Sequence, residues 1–293
     1  MQTRLSIIGI AVSLAAAGLI GIAGSDGSVW IGDVPLFALC GVVAFVVHWI
    51  VFVPSYIRRT ERYFDLTGSI AFVSVTACAL LANPDRNGRA LLLGALVIIW
   101  TLRLGPFLFF RVKRTGGDDR FDRLKSDLLA FLMTWTLSGL WVFITAAAAL
   151  AAITSTKQVN LAWTDALGLI IWTTGFAFEV IADWQKSRFR SNPVNRDRFI
   201  SHGLWRMSRH PNYFGEIMLW SGIAVFAFPA LSGWQLATLI SPVFVWLLLT
   251  RVSGIPLLEA KAAAKWGDDS SYRSYVSKTP ILVPHLPKTP GEA

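Results

Sequence analysis

Eight long apolar segments dominate the chain and restrict it to a small set of folds. They cover residues 5–24, 34–54, 66–82, 89–110, 128–153, 161–182, 213–229 and 233–250. About 20 apolar residues are enough to cross a bilayer. Such a span must be helical, because lipid offers no partner to a free backbone N–H or C=O group. The sequence therefore predicts an all-α, polytopic membrane helix bundle with seven to eight transmembrane helices.

Composition agrees with this interpretation and limits the alternatives. Only 15% of the 293 residues are charged, against about 25% in a typical soluble protein. We interpret residues 5–24 as a first span rather than a signal peptide, because further spans follow. We expect one membrane-embedded domain over 1–293, in which 251–293 form a cytoplasmic C-terminal cap. Cys40 and Cys78 stand apart in apolar runs, so we expect buried thiols and no metal site.

Basic residues are concentrated in alternate loops. The loop 55–65 carries three, 111–127 six and 183–212 seven, and six more follow from Arg251 onward. Few or none occur in the loops 25–33, 83–88, 154–160 and 230–232. We call the two sets the basic end and the neutral end. Because Lys and Arg are retained in the cytoplasm, eight spans with both termini there fit the pattern. The net charge of +9 thus reflects topology, and we expect no nucleic-acid partner.

Ionisable residues inside apolar segments are costly and usually functional. Six of them fall at or near the predicted cytoplasmic side: Asp65, Arg103, Glu179, Asp183, Glu216 and Arg251. Glu179 and Asp183 are four residues apart, as are Asn212 and Glu216, so each pair shares a helix face. We expect these charges to line one cavity that opens to the cytoplasm. The alternative is that they form internal ion pairs, such as Glu179–Arg103, that hold helices together.

The basic loops suggest what such a cavity holds. Guanidinium groups suit bidentate binding of phosphate. The surrounding Trp residues suit a lipophilic substrate that arrives from the bilayer. Neither GxGxxG nor GxxxxGK[ST] occurs, so no Rossmann fold or P-loop supplies the phosphate site. His210 is either a catalytic base or a ligand-binding or loop-shaping residue ahead of Pro211.

Four sequence blocks resemble the membrane steroid 5-alpha-reductases and their bacterial relatives. They are "RLGPFLFFRVKRTGGDDRFDRLK" (103–125), "ADWQKSRFRSNP" (182–193), "GLWRMSRHPNYFGEIMLWSG" (203–222) and the block that begins "RVSGIPLLEAKAAAKWG" (251–284). Isoprenylcysteine-type methyltransferases and sterol double-bond reductases contain similar stretches, and the Arg/Asp-rich block 103–125 favours the bacterial reductase branch. The resemblance implies an integral membrane enzyme of the bacterial inner membrane that binds NADPH from the cytoplasm.

The resemblance also implies site residues. Cofactor contacts are expected from Arg103, Arg111, Arg114, Glu179, Asp183, Arg190, Arg198, His210, Asn212, Tyr213, Glu216, Arg251 and Glu259. Among these, Glu216 is expected to hydrogen-bond the nicotinamide amide or its ribose. In the human steroid enzymes a Glu and a Tyr hold the substrate ketone. Asp65 matches that Glu, whereas Trp100 stands at the Tyr position and Tyr63 is a substitute donor.

The implied reaction is the NADPH-dependent reduction of the carbon–carbon double bond of a lipophilic enone, such as a 3-oxo-delta-4 steroid. Hydride addition to the beta carbon builds negative charge on the ketone oxygen, which needs a hydrogen-bond donor. A carboxylic acid that stays protonated in an apolar site can be that donor. We therefore expect Asp65 to be catalytic, with Tyr63 or Trp100.

The alternative is an S-adenosylmethionine-dependent membrane methyltransferase of the isoprenylcysteine or phospholipid type. The expected partners are the lipophilic substrate and membrane lipids.

Overall fold

The chain folds into helices, as expected. The structure is a computed structural model that describes residues 2–115, 121–122 and 124–285, without the side chains of residues 2 and 111–115. The α-helices in these ranges are α1 Gln2–Gly24, α2 Leu36–Ile57, α3 Phe64–Ala82, α4 Gly88–Thr115, α5 Leu128–Thr154, α6 Trp163–Ser191, α7 Pro211–Ala227, α8 Ser241–Leu247, α9 Ile255–Trp266 and α10 Ser270–Lys278. Two short antiparallel strands, β1 Trp30–Ile31 and β2 Val34–Pro35, join α1 to α2.

Eight helical segments are long and apolar enough to cross a membrane. Seven are α1 to α7, and the eighth, Gly233–Trp266, combines a 3-10 helix, α8, one π-helical turn at Leu248–Val252 and α9. The prediction of an all-α polytopic bundle is thereby confirmed. The structure favours eight segments over seven, because the two short ones at 66–82 and 213–229 both form full helices.

The chain divides into two compact units. The first unit comprises Met1–Asp165 and Ala224–Ser241, and the second comprises Ala166–Ile223 and Pro242–Ala293. The neutral-end loops lie in the first unit, whereas the loop 183–212 and the C-terminal helices lie in the second. The expectation of a single functional domain over 1–293 stays a prediction.

Helix α5 is the core of the first unit. It begins at Leu128 because the Asp127 carboxylate accepts a hydrogen bond from the Ala130 N–H at 2.9 Å and caps the helix. Most of its residues from Trp135 to Thr154 are buried, and Ala146–Ala149 are fully enclosed. Between membrane helices there is little hydrophobic driving force, because lipid tails are as apolar as the side chains. Association then depends on van der Waals packing, and small alanine side chains let neighbouring helices approach closely. Helices α1, α2, α3 and α4 therefore pack around α5.

The four neutral-end loops meet at one end of the first unit. The Val29 N–H donates to the Thr154 carbonyl at 2.7 Å, and the Gln158 amide donates to the Asp85 carbonyl at 3.0 Å. The Ser155 hydroxyl donates to the Ala230 carbonyl at 2.9 Å. These bonds join 25–33, 83–88, 154–160 and 230–232, so the loops that lack basic residues lie together, as the alternation of charge predicts.

A buried ion pair fixes the neutral end, and the sequence analysis missed it. Arg89 donates to both carboxylate oxygens of Asp165, at 2.8 and 2.7 Å, and its remaining N–H groups reach the Val159 and Asn160 carbonyls. The Arg89 side chain is 1% exposed. Because the pair is fully hydrogen-bonded, its charges are compensated without water.

Helices α2 and α3 bring together the two cysteines that the sequence keeps far apart. The Cys40 and Cys78 side chains hydrogen-bond to each other, and both thiols are free. This contact could not be predicted from the sequence, because the 37 residues between the two cysteines do not indicate which faces of α2 and α3 pack together. Cys40 is a buried thiol, as expected, whereas Cys78 is half-buried.

Glycines bring α6 and α7 of the second unit into backbone contact. A Cβ atom on Gly175 would lie 2.6 Å from the Gly215 carbonyl oxygen, and one on Gly215 would lie 2.6 Å from the Glu179 nitrogen. Gly222 approaches the Trp172 nitrogen as closely. Only glycine permits such an approach, which is common between membrane helices. The contact fixes Glu179 beside the turn of α7 that carries Glu216.

We predict that breaking the Arg89–Asp165 pair destabilises the fold strongly. Asp165→Asn leaves the Arg89 charge buried without its counter-ion, and such losses cost about 3–5 kcal/mol. Thermal unfolding in detergent should therefore shift to a markedly lower temperature. Lys125→Met is the control, because Lys125 is partly exposed in its pairs with Asp122 and Glu61 and such pairs contribute about 1 kcal/mol or less. An Asp165→Asn variant as stable as the wild type would contradict the assignment.

Candidate functional site

A cationic cavity of about 620 Å³ lies in the second unit. It is bordered by the C-terminal turns of α6, the segment 193–210, α9 and α10. Seven cationic side chains line it, namely Lys186, Arg190, Arg196, Arg198, Arg209, Lys261 and Lys265. Glu259 is the only carboxylate in the described lining. The excess of positive charge gives the cavity a field that favours anionic over cationic ligands.

Local structure places these cations around one space. Lys186 and Arg190 are four residues apart near the end of α6 and share a helix face. The Asn192 side chain then accepts a hydrogen bond from the Val194 N–H and caps a 3-10 turn that begins at Pro193. The Lys265 ammonium donates to the Arg196 carbonyl at 3.1 Å, which ties α9 to the 193–210 segment.

Aromatic side chains form the apolar wall of the cavity. The Trp205 indole donates to the Ala182 carbonyl at 3.0 Å, and the Tyr275 hydroxyl donates to the Trp205 carbonyl at 2.7 Å. The Phe199 ring centroid lies 5.2 Å from that of Tyr272. Burial raises the pKa of both Tyr272 and Tyr275, so both phenols stay protonated. The wall therefore offers flat aromatic surfaces to the ring of a ligand.

A hydrogen-bonded triad of Arg209, His210 and Glu259 lies at the edge of the cavity. The His210 Nε2 donates to Glu259 Oε1 at 2.8 Å, and the Arg209 guanidinium contacts Glu259 Oε2. Two buried polar atoms of the triad, Arg209 Nε and His210 Nδ1, have no hydrogen-bond partner among the described residues. Arg209 Nε is a donor that an acceptor could satisfy, and His210 Nδ1 is an atom that a bound group could also reach.

His210 is held in its neutral form. Its side chain is 6% exposed, and burial lowers its pKa below the usual 6.5, while the neighbouring Glu259 partly opposes that shift. A neutral imidazole carries one N–H, which Nε2 uses toward Glu259, so Nδ1 is a hydrogen-bond acceptor. The ring also stacks on Tyr213 at a centroid distance of 5.6 Å, which fixes its orientation.

Four residues predicted to bind cofactor line this cavity, namely Arg190, Arg198, His210 and Glu259. Others lie elsewhere in the second unit: the Asn212 amide donates to Asp183 Oδ1 at 3.2 Å, and Tyr213 stacks on His210. Glu179 and Asp183 are buried, Glu216 is half-buried, and Arg251 is exposed on the π-helical turn. The binding roles of all these residues stay predictions.

The residues predicted to contact substrate lie in the first unit. Tyr63 immediately precedes α3 and Asp65 is in its first turn, both next to the loop 55–65 of the basic end. Trp100 is buried, and its ring packs edge-on against Phe72 at 5.1 Å. The Arg103 guanidinium lies 5.3 Å from the Phe107 ring centroid. The side chains of Arg111 and Arg114 lie outside the described residues. The six ionisable residues of the apolar segments are divided between the two units. The expectation that they line one common cavity therefore stays a prediction.

Five cations of the cavity were not singled out from the sequence. Lys186, Arg196 and Arg209 were counted only as topology signals in the loop 183–212. Lys261 and Lys265 were assigned only to the C-terminal cap. Their four-residue spacing on α9 was the available signal, because it places both ammonium groups on one helix face.

We predict that acid weakens the fold through His210. Below pH 6.5 the unfolded histidine binds a proton that the folded one resists, so stability falls as the pH falls through 6.5 toward the lower folded-state pKa. Above pH 6.5 the histidine is neutral in both the folded and the unfolded protein. Its protonation then no longer lowers the free energy of unfolding. Melting temperatures measured between pH 7.5 and 5.5 should therefore fall less steeply in His210→Gln than in the wild type. His202→Gln, at an exposed histidine of the same unit, is the control. An unchanged pH dependence in His210→Gln would contradict this account.

Comparison with known proteins gives one partial relative and one family. A segment of 94 residues is 29% identical to the probable O-methyltransferase ustE of Ustilaginoidea virens. The match covers 32% of this chain and 31% of that protein, so the chain matches less than a third of the relative's length. No solved structure matches the chain. A family model matches residues 51–279, which is most of the chain. The chain therefore belongs to the family described as "Protein of unknown function (DUF1295)".

Proposed function

We propose that this protein is a membrane enzyme that uses NADPH to reduce the carbon–carbon double bond of a lipophilic enone, such as a 3-oxo-delta-4 steroid. The cationic cavity of the second unit is the observation that carries the proposal. Membership of a family that includes steroid 5-alpha-reductase-like membrane proteins supports it. The eight apolar helices are suited to a substrate that arrives from the bilayer.

The chemistry of the cavity fits NADPH. The cofactor has a pyrophosphate and a 2′-phosphate, and Arg190, Arg198 and Arg209 offer guanidinium groups that bind phosphate in a bidentate manner. Within the described part of the chain, Arg209 Nε lacks an acceptor and His210 Nδ1 lacks a donor. A phosphate oxygen would satisfy the first and an amide or amine N–H the second. The aromatic wall would stack on a base.

The protein's own contribution is to bind, orient and polarise. Bound NADPH would supply a hydride to the beta carbon of the enone. We assign the polarisation of the ketone oxygen to Asp65, with the Tyr63 hydroxyl as a second donor, because both lie at the start of α3. Trp100 is buried against Phe72, so we assign it a supporting role in packing. The proton that reaches the alpha carbon comes from water in this scheme.

A second candidate is an S-adenosylmethionine-dependent methyltransferase. The similarity to a probable O-methyltransferase favours it. S-adenosylmethionine carries a sulfonium, an ammonium and a single carboxylate, and it has no phosphate. Seven cationic side chains would repel its positive groups and would leave most of their own donors without acceptors. The charge of the cavity therefore favours the dinucleotide.

We predict that the purified protein binds NADPH, and that Arg198→Ala weakens binding. Loss of one charge-assisted hydrogen bond should raise Kd by about tenfold. Arg206→Ala is the control, because Arg206 is exposed in the same segment and does not line the cavity. Isothermal titration calorimetry with NADPH, NADH and S-adenosylmethionine measures both the choice of cofactor and the change in Kd. Binding of S-adenosylmethionine without NADPH, or equal affinities in the two Arg variants, would overturn the proposal.

We also predict that Asp65 acts in the chemical step. Asp65→Ala should reduce enone turnover by about 10²- to 10³-fold, as expected for the loss of a donor to a developing oxyanion. NADPH affinity should stay unchanged, since the phosphate-binding side chains are untouched. Turnover is followed through NADPH absorbance with steroid and terpenoid enones, and Asp65→Glu tests whether a longer carboxylic acid restores part of it. Wild-type turnover by Asp65→Ala would exclude this role.

A further inference from the structure

We infer that a crevice between α1 and α2 binds the acyl chains of a membrane phospholipid with an ammonium headgroup, and that Asp26 holds the ammonium. The crevice lies wholly in the first unit, has a volume of about 950 Å³ and is independent of the proposed reaction. A volume at the upper end of the range for small-molecule sites, about 300–1,000 Å³, suits a large ligand.

Packing explains why the crevice exists. Helices α1 and α2 both lie against α5 and touch each other over only a short stretch. At the base, Gly41 of α2 approaches the Phe143 ring of α5 so closely that a Cβ would lie 2.9 Å from it. On α1, by contrast, a Cβ at Gly18 or Gly21 would meet no atom within 4 Å. Those two glycines therefore border open space.

The lining is suited to hydrocarbon. Apolar side chains from both helices face the crevice, among them Leu14, Ile22, Val42, Phe45 and Val46. Both helices belong to the segments that are long and apolar enough to span a bilayer. A gap between spans does not stay empty, because atoms at a void lose their dispersion contacts. Acyl chains of the surrounding bilayer are the material at hand to fill it.

One end of the crevice carries the features of a headgroup site. Trp30 and Trp234, at the neutral end, are 58% and 75% exposed and border it. Exposed Trp residues mark the level of lipid headgroups. Asp26 also borders this end, and its Oδ2 accepts a hydrogen bond from the Trp234 N–H at 2.7 Å. No other hydrogen bond to this carboxylate is present among the described residues, so its second oxygen is available to a cation.

Charge then selects among phospholipids. The crevice has no Lys or Arg in its lining, and the Arg89 guanidinium of the same end is committed to Asp165. The nearby Lys157 ammonium of this end donates to the Leu231 carbonyl at 3.3 Å and does not line the crevice. A phosphatidylethanolamine ammonium would be attracted to Asp26, whereas an anionic phosphatidylglycerol headgroup would find no cation among the lining residues. The family match begins at residue 51 and thus excludes α1 and most of α2, so this site is a feature of the chain's N-terminal part.

The test uses the full-length protein in nanodiscs with equal amounts of phosphatidylethanolamine and phosphatidylglycerol. The protein is then transferred to detergent, and retained lipid is quantified by native mass spectrometry. The double variant Gly18→Leu/Gly21→Leu should fill the crevice without a backbone clash and reduce retained phosphatidylethanolamine by about fivefold or more, equivalent to about 1 kcal/mol. Gly88→Leu is the matched control, because it also adds a Leu into open space but lies outside the crevice.

A second pair of variants tests the headgroup. Asp26→Asn keeps an oxygen for the Trp234 N–H and should abolish the preference for phosphatidylethanolamine over phosphatidylglycerol. Asp33→Asn, at an exposed carboxylate in the β1–β2 turn, should keep that preference. The inference is overturned if the crevice-filling variant retains as much lipid as Gly88→Leu. It is also overturned if Asp26→Asn keeps the wild-type lipid ratio, or if filling the crevice converts an oligomer to a monomer, since a second copy would then be its occupant.

Discussion

The absence of water within a bilayer governs the organisation of this chain. Each span must satisfy its backbone hydrogen bonds internally, so the membrane-spanning part is a set of helices. Charged groups are costly within the spans, and many of them lie at helix ends or in compensated pairs. Arg89 and Asp165 illustrate the second case, because every strong donor of the guanidinium meets an acceptor. The seven cations of the cationic cavity illustrate the first, since they come from loops or from the last two turns of helices.

The neutral end of the first unit and the cavity of the second unit use polar groups for different purposes. At the neutral end, hydrogen bonds between loops fix the ends of helices that surround α5. In the second unit, the donors of Arg209 and the acceptor of His210 are held in place by Glu259, yet one atom of each is left without a protein partner. These two atoms are the ones that the proposed cofactor would bond.

Much of the architecture followed from local signals. Length and apolar composition predicted seven to eight spans, and the structure has eight such segments. The alternation of basic loops predicted that the neutral loops lie on one side, where the structure joins them. Contacts between distant elements were harder to predict. The Arg89–Asp165 pair joins residues 76 positions apart, and nothing in the turn 83–89 indicates where Arg89 points. The spacing of Gly168 and Gly175 against Gly215 and Gly222 did carry a signal of close helix packing, which hydrophobicity alone obscured.

The candidate site was predicted in part. The resemblance to membrane reductases selected Arg190, Arg198, His210 and Glu259, which line one cavity. It did not select Lys261 and Lys265, because a cationic helix beyond the last span also fits a lipid-facing surface. Glu259 had no assigned partner in the sequence, since the 48 residues between it and His210 give no measure of their distance in space.

The last described residues have a consequence for when the site can form during synthesis. The Arg209 N–H donates to the Pro280 carbonyl at 2.9 Å, the Ser208 hydroxyl to the Leu282 carbonyl at 2.7 Å and the His285 N–H to the Met207 carbonyl at 3.0 Å. The segment 280–285 thus holds the backbone that presents Arg209 and His210. It leaves the ribosome after the eight apolar segments described above, so the loop gains these bonds only once those segments have been made. Chains cut short before residue 280 would insert their helices and lack this support.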